Sequence, residues 1–140
     1  MTDLLDALVS YLASHTGLVS GISAFYNEMP DEPAKCLVVQ EEQNGYSVPA
    51  QIDAEVHRIR ITTRDVGNEL SCTLAQLCWR WMLTDATQYD ADKRTDTTGF
   101  IQLLDDTVIQ VRLFGNPVWD KADQQNRKYY CFYALIITPR

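Results

Sequence analysis

Catalytic signatures are what this sequence has least of. It contains no G-x-S-x-G nucleophile elbow, no phosphate-cradling glycine loop and no H-E-x-x-H zinc helix. It has two histidines: His15 ends an amphipathic helical pattern, and His57 lies inside a strand pattern, neither with metal-ligand spacing around it. The four cysteines, Cys36, Cys72, Cys78 and Cys131, form no C-x-x-C pair, which excludes the usual zinc-ribbon and redox spacings. Cys72 and Cys78 are six positions apart in one predicted helix and point in different directions, so they are not expected to bridge. Cys36 and Cys131 fall in separate apolar strand patterns and could be sheet neighbours. Buried free thiols in a reducing cytosol are the expectation for all four. Carboxylates are plentiful, but no spacing marks Glu41, Glu42 or Asp53 as an acid/base pair. No enzyme, metal or cofactor is expected.

Long apolar runs are lacking as well, and the first residues, MTDLLDALVSYL, are acidic where a secretory signal needs base. Neither a membrane nor an exported protein is expected. Basic residues are scarce: 12 Lys and Arg stand against 19 Asp and Glu, a net charge of −7. That balance argues against binding nucleic acid through its phosphate backbone.

What remains is an ordinary folded composition. The chain has 140 residues, 46% hydrophobic and 22% charged, enough for a single domain over 1–140 with a substantial core. Leu4, Leu8, Tyr11 and Leu12, with Leu5 and Val9 beside them, follow helical spacing over 3–15, and Gly17 follows the end. A short strand pattern at 22–27 stops before Pro30 and Pro33, and CLVVQEE (36–42) is a compact β-rich run leading to a turn at Asn44-Gly45. Residues 54–64 alternate most clearly. Ile59 and Ile61, with His57 and Thr63, define the core side, and Arg58, Arg60 and Arg64 take the other.

A second helix is predicted over 66–84, capped by Asp65, with Leu70, Leu74, Leu77 and Trp81 as its buried arc. The segment 85–98 has no period and reads as an acidic loop. Strand patterns follow at 100–104 and 107–114, then an extended polar connection carrying Trp119, then a last strand at 128–138 that is apolar on both faces. Such a strand is covered on both sides within the chain or relies on a second copy. The order predicts an α+β fold: a mainly antiparallel β-sheet with two α-helices packed on one face.

Some features point outward. Trp79 is nine positions from Leu70, about 180° around the helix, so it is expected away from the core, under a loop or in an interface. Trp119 poses the same choice. Residues 1–55 hold nine acids and one base, and 56–140 hold ten acids and eleven bases. Arg58, Arg60 and Arg64 either pair with Glu41 and Glu42 across the sheet or meet acidic groups of a second copy head-to-tail, the contact that closes rings.

The chain also resembles a family. LLDALVSYL, MPDEPAKCLVVQEE, HRIRITTRD running into ELSCTLAQLCWRWM, and VIQVRLFGNPVWDKADQQNRKYYCFYALII are similar to segments of the tail terminator proteins (minor capsid or tail-completion proteins) of long-tailed bacteriophages. Pro117, Asp120, Arg127 and the apolar strand after them match a recurring pattern of that family. The resemblance implies a virion subunit that forms a ring, a hexamer, on the tail tube protein. Such a ring ends tube growth and offers a surface to a head-completion or connector protein. It implies no membrane and no specific nucleic-acid contact, with DNA passing through the lumen. Arg58, Arg60, Arg64, Trp79 and Trp119 are the candidate interface residues. The rival reading is a small acidic binding module, of immunity or inhibitor type, that neutralises a basic protein.

Overall fold

A computed structural model describes residues 2–42, 54–83, 98–103 and 108–139. Among these residues two helices, α1 (Thr2–Thr16) and α2 (Asn68–Leu83), accompany six strands: β1 (Ala24–Tyr26), β2 (Cys36–Glu41), β3 (Ala54–Asp65), β4 (Thr98–Gln102), β5 (Val108–Ala122) and β6 (Lys128–Pro139). They form one sheet in the order β1-β2-β3-β6-β5-β4, antiparallel except for the short β1–β2 pair. The expected α+β class, with a mainly antiparallel sheet and both helices on one face, is what the chain adopts. Among the described residues no helix is long and apolar enough to cross a membrane. The Asn44-Gly45 turn and, apart from Thr98, the loop expected at 85–98 lie outside the described residues.

Alternation decides which face the core occupies. Leu37 and Val39, Ile59 and Ile61, Phe132, Ala134 and Ile136, and Ile109, Val111 and Leu113 share one face, against Leu5, Leu8, Val9 and Leu12 of α1. Burying each of the Leu, Val, Ile and Phe side chains among these stabilises by about 1.5–3 kcal/mol. The doubly apolar β6 is buried on both faces over much of its length: Phe132, Ala134 and Ile136 lie in the core, and Tyr129, Cys131 and Leu135 on the other face are no more than 9% exposed.

α2 differs from its expected orientation. Its buried residues are Ser71, Leu74, Ala75, Cys78, Trp79 and Met82, while Leu70 is 56% exposed. The stripe is rotated because small side chains at Ser71, Ala75 and Cys78 let the helix approach the sheet closely. Trp81 turns instead toward α1, where its carbonyl accepts a 2.8 Å bond from the Tyr11 hydroxyl and its ring stacks on His15 at 3.8 Å. Asp65 does not cap this helix; it ends β3, its carboxylate accepting the Val66 amide. The expected polar connection after Asn116 is strand: β5 continues to Ala122, with register shifts between Phe114 and Val118 and between Trp119 and Lys121.

A polar clamp closes the upper end of the sheet's other face. Arg64, 2% exposed, donates to the carbonyls of Asp31, Pro33 and Ala34 and to the Tyr129 hydroxyl. Tyr129 donates on to Asp123, which also accepts the Arg127 guanidinium at 2.7 Å; Arg127 reaches back to the Asp31 carboxylate and carbonyl. Partial burial works against ionisation of Asp123. Bonds from the Arg127 amide and guanidinium, the Tyr129 hydroxyl and the Gln125 amide outweigh it and hold the carboxyl at about 2, below its ordinary 3.8. A lowered folded pKa contributes stability that is present above 3.8 and lost as pH falls toward about 2. Wild-type chain is therefore expected to exceed Asp123→Asn in denaturant midpoint at neutral pH, with the gap closing through that window. A gap independent of pH would show that Asp123 does not carry the titration.

Candidate functional site

The sheet face away from the helices carries the arginine row. The β3–β6–β5 register sets Arg58, Leu135 and Arg112 in one row across three strands, and Arg60, Tyr133 and Phe114 in the next on the same face. The Arg58 guanidinium lies 5.4 Å from the Tyr133 ring centre and 6.0 Å from that of Phe114, and Arg60 lies 5.9 Å from Tyr133. These are cation–π distances, worth roughly 0.5–1 kcal/mol at exposed positions. Arg60 donates to Asp120 on β5 at 3.0 Å. Partial burial disfavours its charge, but Cys131, Tyr133 and Asp120 more than offset this and raise its pKa. Glu41, which the sequence offered as an arginine partner, bonds to His57 Nδ1 at 2.8 Å instead. The half-buried Arg58 and Arg60 thus form a cationic, aromatic surface with Tyr133, to which Arg112 adds an exposed charge.

The other candidates separate from this group. Arg64 belongs to the buried clamp, where it holds backbone carbonyls and is 2% exposed. Trp79, expected to point outward, is 6% exposed and donates its indole N–H to the Gly115 carbonyl at 2.9 Å. Trp119 does lie in solvent, 56% exposed, beside Val118 at 54%. β4 pairs with β5 only as far as Arg112, so among the described residues the outer edge of β5 beyond that point has no strand neighbour. Arg112 and Val118 were missed in the sequence because their faces depend on the β5 register and its irregularities.

At the opposite edge of the sheet lies a cavity of about 430 Å³ between α1 and β1, lined by Asp6, Phe25, Tyr26, Glu28, Met29 and Pro30 among others. No signal in the sequence singled it out, since its walls come from a helix, a strand and the turn after it. No family model and no curated protein matches this chain.

All four cysteines are free. Burial pushes the Cys78 thiol up to about 12, and it raises Cys36 and Cys131 against the opposing pull of Arg64 and Arg60 respectively. Such thiols are poor nucleophiles. Among the described residues no group of three or more His, Cys, Asp or Glu side chains is placed to hold a metal ion.

Proposed function

We propose that this chain is a structural subunit of a phage tail that assembles with its own copies into a ring, a hexamer, on the tail tube, ending tube growth and presenting a surface to the head-completion protein. The observation that carries the reading is the stretch of β5 beyond Arg112, which has no strand partner on its outer side among the described residues and where Val118 and Trp119 are more than half exposed, while Phe114 borders the Arg58, Arg60 and Tyr133 surface. Exposed apolar groups gathered on one edge and bordered by cations are the makings of a protein interface. The resemblance of the sequence to tail terminator proteins supports the choice of partners: further copies, the tail tube protein and a connector. The work of such a subunit is geometric, because a closed ring removes the end to which the next tube subunit would add. It acts in the virion, at the junction of head and tail.

Sedimentation velocity and negative-stain microscopy of the purified chain test this reading. Closed rings several times the 16.0 kDa subunit mass are expected. A chain that stays monomeric at high concentration overturns it. The excess of acid over base in the first 55 residues favours a second reading in that event, an acidic module that binds a cationic protein.

A further inference from the structure

We infer that neighbouring copies join edge to edge, the β5 edge around Trp119 and Lys121 of one copy entering the acidic, aromatic cavity beside β1 of the next. The inference rests on the ring reading and names the two surfaces that would meet.

The register places these surfaces at one level of the sheet. Ala24 pairs with Leu37, Leu37 with Thr63, Thr63 with Tyr130 and Tyr130 with Trp119, so the cavity wall at Ala24 and the exposed indole are the two ends of a single row. The next row runs from Phe25 through Val38, Thr62 and Cys131 to Val118. Four interstrand steps of about 4.8 Å separate the ends of each row. Two unlike surfaces on opposite sides of a subunit make a heterologous contact, and equal level along the strands keeps the rise per subunit small, which favours a closed ring over a helix.

Strand addition is not how they would join. The Ala24 amide already bonds to the Val19 carbonyl, the Ala24 carbonyl accepts the Gly21 amide, and the Tyr26 carbonyl accepts the Glu28 amide. The outer edge of β1 is blocked by its own turns, as exposed edges commonly are. Contact has to be made by side chains, and there the two edges are complementary. The cavity offers the rings of Phe25 and Tyr26 and the Met29 thioether, with exposed carboxylates at Asp6 and Glu28. The β5 edge offers the indole on one face of the strand and, on the other, Val118 and the exposed Lys121 ammonium, which lies 4.9 Å from the Tyr129 ring centre. A volume of about 430 Å³ lies within the range of roughly 300–1,000 Å³ found for pockets that bury organic groups. The second copy is favoured over a foreign partner because the charges are complementary: the cavity lining carries Asp6 and Glu28 and no base, and β5 carries Arg112 and Lys121 against Asp120.

Charge exchange tests this contact. Lys121→Glu places a carboxylate on the β5 edge, and Asp6→Lys with Glu28→Lys places ammonium groups at the cavity. All three positions are exposed, and circular dichroism checks that each variant folds. Each variant alone is expected to lose assembly and sediment as a monomer. An equimolar mixture is expected to regain the wild-type assembly, since the reversed edge then meets the reversed cavity and the native edge meets the native cavity. Assembly of either variant alone at wild-type concentrations, or failure of two folded variants to reassemble on mixing, overturns the contact while rings of the wild-type chain would leave the ring reading standing. A wild-type chain that never assembles removes the ring reading itself.

Discussion

Arg64→Ala is expected to lower the unfolding free energy by about 3 kcal/mol or more, read as a fall in denaturant midpoint. The guanidinium supplies bonds to the carbonyls of Asp31, Pro33 and Ala34 and to the Tyr129 hydroxyl, at 2.7–3.3 Å, and is 2% exposed. A buried acceptor left without its donor costs about 1–3 kcal/mol, and here several lose theirs together. Some of that cost is relieved where the segment 31–34 opens to water, so the same variant is expected to be cut faster by proteases within that segment. Arg64→Lys should recover only part of the loss, because one ammonium on a flexible stem cannot span acceptors that the planar fork reaches at once. A midpoint for Arg64→Ala within about 1 kcal/mol of wild type would mean that the clamp is incidental. The variant also separates two roles for this residue: the interface role expected from its place in the arginine row predicts a stable monomer, whereas the clamp predicts an unstable one.

Trp79→Ala is expected to cost about 3–5 kcal/mol, the range for emptying a buried aromatic site. Trp79 packs in the core cluster with Leu74, Cys78 and Met82 of its own helix, and its indole N–H satisfies the Gly115 carbonyl where β5 departs from regular pairing. Trp79→Phe keeps most of the packing and loses the hydrogen bond, so about 1 kcal/mol is expected. Thermal melts of the two variants check the ranking. Near-wild-type stability of Trp79→Ala with loss of assembly would restore the interface role and contradict the burial.

These two residues show where a sequence pattern stops being informative. The arginine row was correctly assigned to the face opposite Ile59 and Ile61, because that follows from the two-residue period of any strand. Its division into half-buried Arg58 and Arg60 and enclosed Arg64 was not legible. Arg64 is held by residues 31–34 and by Tyr129, which lie about 30 and 65 residues away in the chain and arrive only with the tertiary fold. The arc of α2 was misjudged for a related reason. Leu70, Leu77 and Trp81 outweigh Ser71, Ala75 and Cys78 in bulk, yet close approach to a sheet favours the small residues. Trp119, which the sequence left between cover by a loop and use in an interface, is exposed and belongs to a strand edge and not to a loop. The β1 cavity was not legible, since its opposing walls come from segments about 20 residues apart.

Local periodicity alone located both helices and most of the strands, though not the run of β5 beyond Asn116, and it set which side of β3 faces the core and that β6 needs cover on both sides. These follow from backbone geometry, which repeats every 2 or 3.6 residues whatever surrounds it. The tertiary structure decided the rest. Inserting β6 between β3 and β5 sets Arg58 and Arg60 against Tyr133 and brings Trp119 and the β1 cavity to the two ends of one row. Pairings between strands distant in the chain create those relations, and no local repeat encodes them.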